Sequence, residues 1–267
     1  MTEFLAAPAP IIIASVGLGA ILGSFLNVVI HRGPRLWGLV DGPPRGNLST
    51  PNSYCPACQA PIPWFRLIPI ASYFLQKGRC AACGSAISPR YPAVETLGAI
   101  VAGAAVSAFG ASWAAFAAAC FGWALIALAF IDLETGYLPD AITFPLGIAG
   151  LGANALSLFV PFSQAVIGAA AGSGAFWLIG AAFEKIRGKE GLGHGDAKLL
   201  AAIGVWGGWA ILPMVVLIAA ATTLGAVAIQ RALRKKLSIN EPIPFGPGLC
   251  AAGFIALLAA PYFFNVL

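Results

Sequence analysis

Uncharged windows of about 18–20 residues recur along this chain of 267 residues, and that is the length a helix needs to cross the hydrocarbon of a bilayer. Eight spans can be laid out, at roughly 11–30, 94–110, 112–131, 141–160, 164–183, 198–213, 214–230 and 248–266. The sixth is the weakest, because "GVWGGW" is rich in glycine and Pro213 interrupts it. Only 9% of the residues are charged, where a soluble chain would carry about a quarter. The expected fold is an all-α integral membrane protein, a bundle of about eight transmembrane helices with one sizeable loop domain outside the membrane. The first span does not read as a cleaved signal peptide, since residues 1–10 hold no Lys or Arg and no A-x-A site leads into a soluble domain.

The cations give an orientation. With the amino terminus outside, the inside segments are 31–93, 132–140, 184–197 and 231–247, and they hold 7, 0, 3 and 4 Lys or Arg. Lys198, at the edge of the third, completes all 15. This follows the positive-inside rule throughout. The net charge of +5 is then explained by topology and anionic headgroups, so membrane lipids are the expected partner and nucleic acid is not.

Three parts are expected: a first transmembrane span (1–30), a cytoplasmic zinc-binding loop domain (31–93) and a polytopic membrane bundle (94–267). Outside connections such as "FGAS" and "PFSQ" are short, which makes neighbouring helices antiparallel. Small residues crowd the spans, as in "AVIGAAAGSGA", and allow close helix approach. No internal repeat stands out.

The loop holds four of the six cysteines, in "CPAC" (Cys55, Cys58) and "CAAC" (Cys80, Cys83). Two C-x-x-C turns at this interval suit a tetrahedral four-thiolate zinc site. Four thiolates leave no coordination position for water, so the zinc is expected to be structural. A redox pair or unliganded thiols are the alternatives. Cys120 and Cys250, alone in apolar spans, read as small buried hydrophobes. The stretch "PWFRLIPIASYFL" within the loop reads as lying on the membrane surface or on the bundle.

Ten acidic residues are few enough to weigh singly. Glu184, Glu190 and Glu241 lie among cations and read as solvated, and Asp140 reads as a helix cap. Asp132 ends the third span and Asp196 opens the sixth, so both stand at the same inner boundary although 64 positions apart. Two close carboxylates cannot both ionise cheaply, so one can hold a proton while the other takes one from water. That is aspartic-protease chemistry. The helix dipole favours ionised Asp196 and protonated Asp132. His194 could tune the site or simply be exposed, and Gly193 and Gly195 would let backbone approach a substrate strand. Taken singly, each aspartate could instead be a cap or a helix-end residue. Two other classes stay open on the residues alone. A proton-coupled transporter would need ionisable groups nearer mid-membrane, and a non-enzymatic zinc-bearing scaffold would tolerate loss of both aspartates.

"GSFLNVVIHR" (23–32), the two C-x-x-C turns, "SPRYPAVE" (88–95), "IDLETGYLPD" (131–140), "GLGHGDAKLL" (191–200) and "PIPFGP" (242–247) together resemble the prepilin peptidases of type IV pilus and type II secretion systems, in that family's order. "GHGD" also resembles the G-x-G-D signature of presenilin-type intramembrane aspartyl proteases. The resemblance spans roughly residues 15–260. It implies removal of a short basic leader from prepilins or pseudopilins, then N-methylation of the new amino terminus with S-adenosylmethionine. It places the catalytic aspartates at Asp132 and Asp196 and the metal cysteines at Cys55, Cys58, Cys80 and Cys83. It also implies the bacterial inner membrane, with both aspartates on the cytoplasmic side. Gly33 stands where the family commonly has Leu, a departure expected to matter little. No glycine-rich fingerprint marks a methyl-donor pocket. Its expected place is the inside face near "NVVIHR" and "YPAVE", with Glu95 the first candidate residue and an ordinary helix-start carboxylate the alternative reading.

Overall fold

A computed structural model describes residues 8–43, 46–187, 193–233 and 244–264. Among these the architecture is helical throughout. The helices are α1 (Ala9–Leu36), α2 (Ala71–Leu75), α3 (Arg90–Phe109), α4 (Trp113–Thr135), α5 (Asp140–Ala155), α6 (Phe162–Arg187), α7 (His194–Gly207), α8 (Leu212–Leu233) and α9 (Gly246–Phe264), with 3-10 turns at Trp64–Arg66 and Trp209–Ile211. Among the described residues, four segments have the length and apolarity to cross a membrane: Ala9–Leu36, Arg90–Phe109, Trp113–Thr135 and Trp209–Gln230. The other four expected spans fall on α5, α6, α7 and α9. Of these, α5 and α7 have 16 and 14 residues, short of the roughly 20 that a straight crossing takes. Pro213 does not interrupt a helix. It is the second residue of α8, where its missing N–H costs nothing, and the chain turns instead at Gly208 with φ +76°. Of the acidic residues expected to be solvated, the Glu184 side chain, Glu190 and Glu241 lie outside what is described.

Two compact units divide within α4, at Ala127 and Leu128. In the first, α1 and α3 approach backbone to backbone. A Cβ on Gly23 would lie 2.7 Å from Glu95 Cα, and one on Gly98 would lie 3.0 Å from Gly23 Cα. Trp123 of α4 donates its indole N–H to the Gly98 carbonyl at 3.1 Å. At the end of α1, buried Arg32 donates to the carbonyls of Asn47 at 2.9 Å and Pro51 at 2.8 Å, which fixes the start of the long loop. Gly33 lies under the Trp37 ring, where a Cβ would come within 2.5 Å. A leucine there would have to displace that indole, so the departure at Gly33 has a packing partner of its own.

In the second unit α6 and α7 meet in the same way. A Cβ on Gly172 would stand 2.6 Å from the Leu200 carbonyl oxygen, and Gly168 and Gly204 face one another across the crossing. Asn154, 1% exposed, ties the far end together. Its amide N–H groups donate to the carbonyls of Val205 at 2.7 Å and Trp206 at 3.2 Å, and its oxygen accepts from the amides of Phe159 at 3.2 Å and Val160 at 3.1 Å. Trp206 returns its indole N–H to Leu146 at 2.9 Å. Asn154→Leu fills the same space and takes the acceptor from the buried Val160 N–H and the half-buried Phe159 N–H, which predicts a loss of about 2–4 kcal/mol. Thermal unfolding in detergent should show a midpoint several degrees lower. An unchanged midpoint would mean that this network does not hold the unit.

Candidate functional site

The second unit brings together three chain segments of low side-chain bulk. Asp132 lies near the end of α4 and is 6% exposed. Beyond it, Gly136 takes φ +71° and turns the chain into 137–139, with Leu138 pointing back. Leu138 fills the space between two glycines: a Cβ on Gly195 would lie 3.1 Å from Leu138 Cβ, and one on Gly246 would lie 3.4 Å from Leu138 Cδ2. The start of α7, the start of α9 and the end of α4 are thereby held around one side chain. Asp196, half-buried in the first turn of α7, donates its backbone N–H to Gly193 at 3.1 Å.

The Asp132 carboxyl faces the Gly246 backbone so closely that a Cβ there would lie 2.5 Å from Oδ2. Oδ2 is buried and accepts no hydrogen bond from a described residue, although the Gly246 backbone approaches the carboxyl. Asp196, outside the four membrane-length helices, has its carboxyl pushed up to about 6, by burial first and by the charge of Asp132 second. Asp196 therefore senses Asp132 across 64 residues of sequence. Gly193 stands over Asp196, a Cβ there coming 3.3 Å from Oδ2. His194, the first residue of α7, is exposed.

Asp140 does not cap α5. Pro139 occupies the cap position and Asp140 is the first helical residue. Its two carboxylate oxygens each accept from Lys198 Nζ at 2.8 Å, joining the starts of α5 and α7 beside Asp196. Lys198 also lies 5.4 Å from the centre of the Phe144 ring. Sequence reading passes over this ion pair because its members are 58 residues apart.

In the first unit the four loop cysteines converge, every Sγ within 4.8 Å of the others. Cys55 and Cys83 stand 3.9 Å apart, close to the roughly 3.8 Å that Zn–S bonds of 2.3 Å give in a tetrahedron. The two turns are built alike. Gln59 N–H donates to Cys55 O and Gly84 N–H to Cys80 O, each at 2.8 Å, with Gln59 at φ +61° and Gly84 at φ +72°. This short structural repeat, "CPACQA" against "CAACGS", is legible once the turns are superposed. Amide N–H groups of Cys58 and then Ala57 pull the Cys55 thiol down to about 6, and the Ser85 hydroxyl lowers Cys83, whereas Cys58, although the Ala60 amide lowers it, is pushed up to about 11, chiefly by Cys83 beside it. Thiols held toward the thiolate are fit metal ligands.

Between this loop and the ends of α1 and α3 lies a cavity of about 450 Å³, lined in part by Asn27, Tyr54, Tyr73, Tyr91, Arg66 and Glu95. Glu95 is 8% exposed, and its Oε2 accepts the Ile70 N–H at 2.7 Å. Ile70 has φ +62° and ψ −56°, the centre of a left-handed γ-turn that a β-branched residue rarely enters. Asn27 donates to the carbonyls of Gly23 at 3.3 Å and Tyr91 at 3.2 Å, while its buried oxygen has no partner among the described residues. The volume falls within the 300–1,000 Å³ usual for small-molecule sites.

The comparisons with known proteins agree in order along the chain. The bacterial peptidase A24 N-terminal domain matches residues 18–109, and the type IV leader peptidase family matches residues 119–229. The prepilin leader peptidase/N-methyltransferase of Aeromonas salmonicida strain A449 is 44% identical over 254 residues, covering 89% of this chain and 87% of that protein. The proteins of the same name from Burkholderia pseudomallei strain K96243 and Pseudomonas aeruginosa strain PAO1 are 41% and 40% identical, covering 100% and 97% of this chain and 92% and 94% of their own. No solved structure matches. With identities of this size over almost the whole length, and two family regions matched in sequence order, the chain belongs to the type IV leader peptidase family.

Proposed function

We propose that this chain is a multi-pass inner-membrane enzyme that removes the leader from type IV prepilins or pseudopilins and then N-methylates the exposed amino terminus. The observation that carries the peptidase reading is the pairing of buried Asp132, with its unpartnered Oδ2, and Asp196, whose carboxyl is raised by burial and by Asp132. In this reading the ionised carboxylate takes a proton from water, whose oxygen attacks the peptide carbonyl carbon. The protonated carboxyl donates to the carbonyl oxygen, and collapse breaks the C–N bond with a proton passing to the leaving amine. Both aspartates stand at the cytoplasmic boundary, since a basic leader stays inside while its apolar segment enters the membrane. The spans at 141–160, 164–183, 198–213 and 248–266 complete a bundle of eight. Asp132→Ala and Asp196→Ala should each abolish cleavage in membranes with the protein still folded. Gly246→Ala should also lower it by about 100-fold, because its Cβ would displace the Asp132 carboxyl. Gly193→Ala, whose backbone at φ −68° suits any residue and whose Cβ would stand 3.3 Å from Asp196, should cost much less. Near-normal cleavage by Gly246→Ala would remove Asp132 from the reacting pair.

Cys55, Cys58, Cys80 and Cys83 are proposed to hold one structural zinc, supported by the convergence of their sulfurs and the lowered Cys55 and Cys83 thiols. Metal analysis of gently purified protein should find about one zinc per chain, and Cys80→Ser should lose it. Free thiols with no zinc in the wild type would overturn the assignment.

The methyl donor is proposed to be S-adenosylmethionine, held in the cavity beside Glu95. Bound there, the donor would supply a methyl group from a cationic sulfonium. The Glu95 carboxylate and the rings of Tyr54 and Tyr73 suit a cation, while the Tyr91 ring already carries the Arg90 guanidinium, 5.1 Å from its centre. On this reading the loop domain (31–93) and the first span serve methylation, while the bundle that follows serves cleavage. The two are then separable. With a precleaved pilin and labelled donor, the Asp132→Ala, Asp196→Ala double variant should still transfer methyl, whereas Glu95→Gln should bind donor at least about tenfold more weakly while keeping cleavage. A folded double variant that loses both reactions together would sink the two-site arrangement.

A further inference from the structure

One face of the cysteine loop turns away from the cavity and exposes its largest apolar side chains. Trp64, Phe65, Phe74 and Leu75 are 80%, 52%, 68% and 82% exposed, on the 3-10 turn Trp64–Arg66 and on α2. Trp64 meets Phe65 edge to face at 6.1 Å between ring centres, and Tyr73 meets Phe74 likewise at 5.6 Å. Large apolar side chains exposed together mark a surface that something other than water covers.

One hydrogen bond sets the depth of this segment. α3 has 20 residues, about 30 Å of helix, which matches the hydrocarbon thickness. Its Arg90 end must therefore stand at the boundary for the helix to cross. Glu95 lies five residues on, about 7.5 Å further in. The Ile70 N–H is bonded to Glu95 at 2.7 Å, so the backbone between Trp64 and Leu75 is held at that level. Interfacial segments bury their apolar faces about 5–10 Å deep at the headgroup–acyl boundary. The charges match as well. Arg66, Lys77 and Arg79 are exposed around the segment, and no carboxylate occurs between Asp41 and Glu95. A surface with bulky aromatics, flanking cations and no anions complements an anionic phospholipid interface.

We infer that Trp64–Leu75 is an interfacial membrane anchor, lying in the leaflet at the Arg90 end of α3, with its aromatics at the top of the acyl chains and its flanking cations against anionic headgroups. The anchor fixes the outer wall of the cavity at a constant depth beside the boundary. It does not depend on which donor the cavity takes.

The test uses the full chain in nanodiscs of phosphatidylglycerol and phosphatidylcholine, with bromines at shallow or deep acyl positions. The emission difference between wild type and Trp64→Phe isolates Trp64 from the other tryptophans, and Phe74→Trp in the Trp64→Phe background gives a second reporter. Shallow bromines should quench each reporter by about half or more, deep bromines less, and aqueous iodide hardly at all. Lys77→Glu should weaken that quenching in the anionic discs and leave it unchanged in phosphatidylcholine alone. Reporters reached by iodide and not by bromine would show a solvated loop and overturn the anchor. Reporters reached by neither would show a protein cover, from a second copy or a substrate, and overturn it equally. A Lys77→Glu effect absent from both lipids would overturn the headgroup contact.

Discussion

Contact of backbone with backbone at glycine is the constraint on which the rest of the molecule depends. Lipid tails are as apolar as the side chains they touch, so burying leucine gives two membrane helices no reason to associate. Dispersion between closely packed backbones does, and it needs residues without side chains at the crossing. Gly19, Gly23 and Gly98 supply that between α1 and α3, and Gly168, Gly172 and Gly204 between α6 and α7. At Gly23, Gly98 and Gly172 a methyl group would stand 3.0 Å or less from the opposite main chain. Each crossing is therefore specified in register as well as in partner.

The registers carry the chemistry. On α3, Glu95 lies one turn before Gly98, and on α1, Asn27 lies one turn after Gly23, so the close crossing brings both to the same end and opens the cavity between them. Locking α6 to α7 positions the start of α7, where Asp196 meets the Gly246 and Asp132 level through Leu138. The Lys198–Asp140 pair adds a link between α5 and α7 at the surface. Half-exposed as it is, that pair contributes orientation more than stability. A carboxylate in such a chain is affordable only at a helix end, where water or a second protonatable group can reach it.

What the sequence makes legible follows from how rare each signal is. With ten acidic residues in 267, Asp132 and Asp196 stand out against their apolar neighbours, and four cysteines in paired turns define a ligand set without a structure. Gly193 and Gly195 announce a tight turn, yet the glycine pressed hardest on a carboxyl is Gly246, about fifty residues away in "PIPFGP", a block that the resemblance marks but that holds no ionisable residue to suggest a role. Ile70 is hidden for a different reason. Its β-branched side chain argues for extended backbone, and the bond that its N–H makes to Glu95, 25 positions away, has no trace in the neighbouring sequence. Asn154 sits among alanine and glycine with nothing local to mark it, and half of its bonds run to residues 51 and 52 positions on. Span boundaries blur for a related cause. α1 runs on to Leu36 through "HRGPRL", because hydropathy ends where the membrane ends and a helix need not.

Polar satisfaction separates scaffold from site. Arg32, Thr143 and Asn154 are buried and have partners for the groups they bring inside: two loop carbonyls for Arg32, the Pro139 carbonyl at 3.1 Å for Thr143, and four backbone groups for Asn154. Removing any of them damages structure. Among the described residues, the buried side-chain oxygens left without a hydrogen bond are Asn27 Oδ1 and Asp132 Oδ2. An orphaned acceptor costs about 1–3 kcal/mol where water cannot reach it, so such a group persists only where something else meets it. One of these oxygens lines the cavity beside Glu95, and the other lies at the aspartate pair. Among the described residues, the two unmet acceptors thus fall at the two places proposed above for a methyl donor and a scissile peptide, while the polar groups that Arg32, Thr143 and Asn154 carry into the interior find backbone partners.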